Sequence, residues 1–277
     1  EVNAGYTFAC AKSTDDTYSC WGNDRSKGFT VPAGLVSWDI GTEFGCGLSS
    51  QGDLSCWGQT IGWSHSLDSS RSYTDVDVAI GMIDSSTNTP DTNSSYACAL
   101  SDVGEVSCFG RCSGCDATLN NVPTGAGFTA IATTNDVACA LDDSGYVSCW
   151  GEATSPAKTT APLTQFTDIS GGATDFCGLT SAGEIECWGA STSAWVPPPS
   201  GLYVGVEVGT THACAMQAVN RELVCWGTDM SLAAVASAPA IPLQAFSVGF
   251  DVSFGVDFDG FVHGWGAEIG APNYMMS

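Results

Sequence analysis

The sequence predicts an all-β chain, folded over residues 1–277 as a single seven-bladed β-propeller domain. One disulfide is expected within each of six blades, with closure between the N- and C-termini. Three observations carry this. A Cys-x9-Cys-Trp-Gly unit, with Phe for Trp in the third copy, recurs at Cys10 and Cys20, Cys46 and Cys56, Cys98 and Cys108, Cys139 and Cys149, and Cys177 and Cys187. It recurs with ten intervening residues at Cys214 and Cys225. Successive Trp-Gly or Phe-Gly steps, from Trp21-Gly22 to Trp265-Gly266, are separated by 36, 52, 41, 38, 38 and 39 residues. A period near 40 marks a solenoid, propeller or array. Within each unit, apolar residues alternate two apart on both sides of a turn, which is strand periodicity.

The hairpin follows from one unit. In Cys139-Ala-Leu-Asp-Asp-Ser-Gly-Tyr-Val-Ser-Cys149, folding about Ser144 sets Cys139 opposite Cys149. Facing Cβ atoms on paired strands lie about 4.5–5.5 Å apart, within adjustment range of a disulfide. By the same spacing Cys20, Cys56, Cys108, Cys187 and Cys225 are each expected to bond to the first cysteine of their own pair. The seventh unit has Phe254 and Gly264 where the cysteines would be, so both are replaced together. Cys112 and Cys115 form a short C-S-G-C and are expected to bond to each other. Zinc there would need two further ligands, and the neighbouring cysteines are committed to pairs.

Upstream of each hairpin runs an aromatic, then Ile or Val, then Gly, as in Tyr203-Val-Gly-Val-Glu-Val-Gly209. Gly5, Gly41, Gly172, Gly209 and Gly249 stand five residues before the first Cys position. They are expected to serve backbone geometry, through positive φ or close strand packing. Linkers with Val31-Pro32, Val122-Pro123, Ala161-Pro162 and Val196-Pro197 follow the Trp-Gly steps, and no segment has a helical period. Each unit therefore reads as about four short strands. The long 52-residue interval holds a Ser/Thr/Asn-rich insertion, roughly Met82–Ser94. It contains Asn93-Ser94-Ser95, the one N-x-S/T sequon, so Asn93 is the expected glycosylation site. From Glu1 to Gly5 the first unit is short of a full upstream strand. The tail Asn273–Ser277 is expected beside Glu1–Asn3, completing the circle.

The string Phe-Cys-Gly-Leu-x3-Gly-x3-Cys-Trp-Gly at Phe176–Gly189 resembles the repeats of the regulator-of-chromosome-condensation superfamily. It is most similar to the secreted, cysteine-paired branch, which includes crinkly-type receptor ectodomains. The Val-Pro linkers are similar to a β-lactamase-inhibitory propeller. The resemblance spans the chain and implies the propeller fold. It does not select a function, because that superfamily includes exchange factors, inhibitors, receptors and a photoreceptor. Gly62-Trp63-Ser64-His65 is similar to the photoreceptor's Trp motif, but it lies in a linker, outside the repeat position.

Composition bounds the function. With 7 basic and 30 acidic residues the net charge is −23. A nucleic-acid partner needs a Lys/Arg footprint that this chain lacks. No apolar run approaches the roughly 18 residues that cross a bilayer, so no membrane insertion is expected. Fourteen cysteines point to an oxidising, extracellular setting, at a cell surface or in a matrix. The chain opens without an initiator Met and is expected to be a mature or excised segment.

No catalytic residue, cofactor or metal is expected. His65, His212 and His263 stand at no metal-ligand spacing, and His212 occupies a position where other units carry Phe8, Phe44 or Tyr96. The expected function is a non-catalytic, secreted interaction module, a building block of an extracellular assembly, through self-assembly or a protein partner. The alternative is a secreted recognition domain, a receptor ectodomain or inhibitor, using one propeller face. Trp63, Trp195 and Tyr274 fall outside the core pattern and are the candidate interaction residues. The hairpin tips recur once per unit and must share one face. They carry Asp15, Asp16, Asp53, Asp102, Glu105, Asp142, Asp143, Glu184, Asp257 and Asp259, against the single basic Arg221. That face is either a solvated rim or a surface that steers a cationic partner.

Overall fold

The structure is a computed structural model. It describes residues 1–5, 8–22, 30–42, 44–58, 70–79, 83–84, 89–90, 94–112, 116–190, 195, 198–228, 235, 237–266 and 274–275. Seven antiparallel sheets follow one another along the chain, each with an inner, a middle and an outer strand. Blade 1 comprises Val2–Ala4, Phe8–Lys12 and Tyr18–Gly22. Blade 2 comprises Leu35–Ile40, Phe44–Ser49 and Leu54–Gly58. Blade 3 has Tyr73–Val78, Ser94–Ser101 and Val106–Cys112, and blade 4 has Phe128–Thr133, Val137–Asp142 and Val147–Gly151. Blade 5 is Asp168–Gly171, Asp175–Leu179 and Ile185–Gly189. Blade 6 is Tyr203–Val208, His212–Gln217 and Leu223–Gly227. Blade 7 is Leu243–Val248, Val252–Asp257 and Phe261–Gly266, with a fourth strand at Tyr274–Met275.

The expectation of four strands per unit needs correction. Among the described residues only blade 7 has the fourth. The linkers elsewhere carry Pro32, Pro123 and Pro162 outside any strand, and proline cannot donate to a ladder. Two short helical segments, Asp116–Asn120 and Pro156–Thr159, sit in such linkers. The first is tied to blade 4 by Trp150, whose indole N–H donates to the Thr118 carbonyl at 3.0 Å. In the insertion, Ile83–Asp84 pairs with Thr89–Pro90, and Ser94 already belongs to the middle strand of blade 3.

Six disulfides join middle to outer strands at directly facing positions, with Cα atoms 4.0–4.1 Å apart. Cys10 bonds to Cys20, Cys46 to Cys56 and Cys98 to Cys108. Cys139 bonds to Cys149, Cys177 to Cys187 and Cys214 to Cys225. The middle-strand cysteine of every pair is buried. On the outer strands Cys108 and Cys225 are buried too, whereas Cys20, Cys56, Cys149 and Cys187 are partly exposed. Phe254 faces Gly264 in the same register in blade 7. Cys115 and Asn93 lie outside the described residues, and so do the expected Cys112–Cys115 bond and glycosylation site.

Both faces of each blade are buried because each sheet packs on its neighbours. The Trp of the repeat fills the gap between blades. Trp188 of blade 5 packs in one cluster with Val137, Cys139 and Leu141 of blade 4, and stacks on Phe166 and Phe176 with ring centroids 5.6 and 5.4 Å away. The same packing closes the circle, since Trp21 of blade 1 meets Phe254 of blade 7 edge-on at 5.5 Å.

The recurring glycines explain how seven sheets converge. None of Gly5, Gly41, Gly172, Gly209 or Gly249 has positive φ, so close packing is the reason for them. A Cβ at Gly172 would lie 2.0 Å from the Gly209 carbonyl oxygen, at Gly209 2.1 Å from that of Gly249, and at Gly249 2.4 Å from that of Gly5. The series thus runs from blade 7 back into blade 1.

Closure is therefore made by blade 1 packing on blade 7. Of the tail expected beside Glu1–Asn3, Asn273, Met276 and Ser277 lie outside the described residues. Tyr274 and Met275 pair with Val262 and Phe261 on the outer edge of blade 7, not with Glu1–Asn3. The first unit already has its inner strand, Val2–Ala4, so no strand is missing there. Gly249→Ala is expected to cost about 1–3 kcal/mol by overpacking. Truncation before Tyr274 is expected to cost less. Thermal unfolding of the two variants checks this, and the reverse ranking would contradict closure at the glycines.

Candidate functional site

Two places concentrate chemistry: the axis, where inner strands meet, and the face formed by the hairpin tips.

Each inner strand uses one edge to pair with its middle strand. Its other edge faces the axis, with backbone groups that need partners. The position two residues before the recurring glycine, or before Ala79 in its place in blade 3, supplies them. The Asp39 carboxylate accepts from the Val78 N–H of blade 3 at 2.8 Å. Asp77 accepts from the Thr133 N–H of blade 4 at 2.8 Å and from its hydroxyl at 2.5 Å. The Ser170 hydroxyl accepts from the Val208 N–H of blade 6 at 3.0 Å, and Ser247 from the Ala4 N–H of blade 1 at 2.9 Å. From blade 1, the Asn3 side-chain amide donates to the Trp38 carbonyl at 2.7 Å. Glu207 holds this position in blade 6. Being a methylene longer, it reaches back to the Ser170 hydroxyl, which donates to it at only 3.5 Å.

These residues line a channel together with Asp75 and Ser37. Four carboxyl groups, Asp39, Asp75, Asp77 and Glu207, face it, and Asp168 stands exposed nearby. Burial is the main cause of their shifted acidity. It pushes Asp39 up to about 7, with the Glu207 and Asp75 charges adding to it. Asp75 is pushed up to about 6, and Glu207 up to about 8 with help from Asp168 and Asp77. Asp77 is raised as well, by burial and then by Asp39. The channel thus takes up protons near neutral pH. Among the described residues, no group of His, Cys, Asp or Glu is arranged to hold a metal ion.

The sign of the pH dependence follows. A carboxyl whose folded pKa is raised is uncharged in the folded chain while already ionised in the unfolded one. The protein loses stability as pH rises from about 4 to about 8. His212 works the other way. Burial lowers it to about 4, so its contribution is lost as pH falls from 6.5 to about 4. It is one group against several. The melting temperature is expected to fall between about pH 5 and pH 8. Glu207→Gln should flatten that fall and raise the melting temperature at the upper end, by roughly 2–4 °C per kcal/mol relieved. A wild-type melting temperature that climbs over the same range would contradict a buried carboxyl ring.

The tip face begins with a repeated turn. The last residue of the middle strand, or in blade 5 the residue just after it, accepts through its side chain from the N–H four residues on. Asp53 donates to Ser49, Glu105 to Ser101, Tyr146 to Asp142, Glu184 to Thr180 and Phe261 to Asp257. Asp142 and Asp257 are therefore turn caps. The turn then needs a left-handed residue. Glycine fills it in five blades, while Asp16 and Arg221 adopt φ 68° and 60° in the other two. The carbonyl of that residue latches the next blade. Tyr73 donates to Gly52, Phe128 to Gly104, Phe166 to Gly145, Tyr203 to Gly183 and Leu243 to Arg221, all through backbone N–H groups.

That face also carries the exposed apolar side chains. Eight large hydrophobic residues of the described chain are 45–91% exposed: Val36, Val103, Tyr146, Leu163, Leu202, Val204, Val219 and Phe258. Val103, Tyr146, Val219 and Phe258 are in the tips themselves. Val36 and Val204 are second in inner strands whose first residues pair with the ends of middle strands, Leu35 with Ser49 and Tyr203 with Gln217. Leu202 accepts from the Ala218 N–H in the blade 6 tip. Beyond Leu163, Gln165 donates from its side chain to the Ser144 carbonyl in the blade 4 tip. All eight thus share one side of the disc with the acidic tips. Three cations there are engaged locally: Lys12 with Asp16 at 2.7 Å, Arg71 with Glu105, and Arg221 with the carbonyls of Leu243 and Gln244.

Of the candidate interaction residues, Trp195 is 6% exposed and packs with Leu179, Tyr203 and Trp226. It is a core residue, packed against side chains of blades 5 and 6. Trp63 lies outside the described residues, and Tyr274 is placed through its backbone pairing alone. His212 is structural, with its Nε2 hydrogen-bonded to the Ser253 hydroxyl of blade 7 at 2.7 Å. The axial position and the exposed apolar residues were not picked out from the sequence. A polar residue two before each recurring glycine was the readable signal for the first. For the second it was Val219 and Phe258 standing in turns.

No family model matches the chain, and no curated protein matches it. Solved structures do. The entire ectodomain of the Physcomitrella patens receptor kinase CR4 superposes with a TM-score of 0.76 at 22% identity, covering 96% of this chain and 73% of that one. The crinkly ectodomain of the Arabidopsis thaliana receptor kinase ACR4 gives 0.74 at 19% identity, covering 99% and 97%. Prp20p of Saccharomyces cerevisiae, described with its binding to Gsp1p and histones, gives 0.61 at 16%, covering 95% and 81%. At these identities the likeness establishes the propeller fold.

Proposed function

We propose that this chain is a non-catalytic, extracellular interaction module, a building block of an extracellular assembly that engages protein through the tip face. The observation that carries this is the confinement of all eight exposed large hydrophobic residues of the described chain to one side of the disc. A soluble surface tolerates scattered apolar residues, whereas apolar residues gathered on one face mark an interaction site. The seven-blade ring holds those tips in fixed mutual positions through the latches between blades. Six disulfides suit an oxidising compartment, which supports the extracellular reading. Solved receptor-kinase ectodomains of the same fold support it as well. Glycan on Asn93 is part of the same proposal.

Light scattering on natively purified, non-reduced material tests it. The expected mass exceeds that of one 28.5 kDa chain by that of co-purifying partner protein, and returns to that value when Val103, Leu163, Val219 and Phe258 are replaced together by Ser. A native mass of one chain, unchanged by those substitutions, would overturn the proposal.

A further inference from the structure

The tip face is not uniform, and one sector of it has an apolar patch with an unneutralised acidic border. Leu202, Val204, Val219 and Phe258 belong to blades 6 and 7 and their approach segments, and each is half or more exposed. They are joined across the surface. Ala218, beside Val219, donates its N–H to the Leu202 carbonyl at 2.8 Å. Arg221, two residues on, sets its guanidinium 5.9 Å from the centre of the Phe258 ring. Arg221 is held there by the carbonyls of Leu243 and Gln244 at 3.0 and 3.1 Å. Its contacts are spent on fixing the patch.

The border is acidic. Glu184 follows Gly183, whose own neighbour across the latch is Leu202. Glu222 follows Arg221, and Asp259 follows Phe258. Among the described residues, none of these three has a cationic partner. An apolar surface bordered by free carboxylates selects against a second copy of this chain, because each copy carries a net charge of −23 and like charges must be brought together. It selects for a partner that brings apolar side chains and positive charge at once.

We infer that the blade 6–7 sector, Leu202, Val204, Val219 and Phe258 with Glu184, Glu222 and Asp259, docks a cationic polypeptide segment in which Lys or Arg alternates with apolar residues. This rests on the reading of the tip face as a docking surface and assigns its partner chemistry. The apolar side chains of the segment cover the patch, and its cations meet the carboxylate border. Charge sets the rate of encounter and its salt dependence, while apolar contact sets how long the complex lasts.

The test uses the intact, disulfide-bonded chain and three synthetic peptides of equal length. One is amphipathic in Lys and Leu, one replaces every Leu by Ser, and one replaces every Lys by Glu. Isothermal calorimetry is expected to show binding of the Lys/Leu peptide, at least about tenfold weaker with the Lys/Ser peptide and absent with the Glu/Leu peptide. The double variant Val219→Ser, Phe258→Ser keeps the charge and should weaken Lys/Leu binding about tenfold or more. Val103→Ser, on the same face in blade 3 but outside this sector, should weaken it far less than the blade 6–7 double variant. Glu222→Gln with Asp259→Asn should weaken binding and reduce its salt dependence.

Melting temperatures of the variants establish that they fold. Equal binding of the Lys/Ser peptide, or equal loss with Val103→Ser, would overturn the inference in favour of a general attraction to the acidic disc. Self-association abolished by Phe258→Ser would overturn it in favour of a second copy. The two readings fail separately. An assembly that depends on the tip face, with no selective Lys/Leu binding, refutes only the partner chemistry. A single-chain native mass that ignores the tip substitutions refutes the tip-face reading itself.

Discussion

Seven sheets can meet around an axis only if their inner edges can approach closely and still satisfy their backbone groups. That constraint organises this molecule. Small residues permit the approach, since carbonyl oxygens of the following blade stand where side chains of Gly5, Gly172, Gly209 and Gly249 would begin. Polar residues two positions earlier then accept the N–H groups that the sheets leave unpaired. Both devices recur at the same place in successive blades, so a single strand motif builds the centre of the ring. Disulfides act elsewhere. Each joins neighbouring strands within its own blade, as Cys10 with Cys20 or Cys214 with Cys225. Blade 7 keeps its register with Phe254 facing Gly264 instead.

The axial solution has an electrostatic consequence. Serine and asparagine accept or donate there without charge, but Asp39, Asp77 and Glu207 bring carboxyl groups into a confined space, with Asp75 beside them. Burial and mutual repulsion favour their protonated forms. The tip face follows a different logic. Its carboxylates are solvated, several cap turns, and its apolar residues stand in tips, approach segments and strand ends where no core needs them. The axis closes the ring, and the tips carry what the ring displays.

Much of the fold was legible in the sequence. The interval between Trp-Gly steps gave the number of blades, and the opposition of Cys139 and Cys149 about Ser144 gave the hairpin register, since both are local and repeated. The recurring glycines were legible as positions, and the structure selects close packing over positive φ. The fourth strand was not legible, because Tyr274–Met275 pairs with a neighbour only in blade 7 and linkers elsewhere contain proline. The pairing of Tyr274–Met275 with blade 7 was missed for a related reason. Val2–Ala4 is short but sufficient as an inner strand, and strand length alone does not reveal that. The site was less legible. Asp39 or Ser170 alternates with apolar neighbours, which reads equally as a strand facing water or as one facing an axis. Only the pairing between blades separates the two. Trp195 lay outside the repeat and so resembled a surface anchor, yet a large indole in a linker can be recruited to the core. Conversely, Val219 and Phe258 are apolar residues in turns, and their exposure became visible only once the tips were placed.

Amide hydrogen exchange at Ala4, Val78, Thr133 and Val208 tests the axial belt most directly. These N–H groups point away from their own sheets, and their protection depends on Ser247, Asp39, Asp77 and Ser170 across the blade boundaries. A closed belt predicts exchange as slow as that of the middle strands, with Asp39→Ala accelerating Val78 selectively. Exchange of all four at the rate of exposed loops, unaffected by Asp39→Ala, would contradict it.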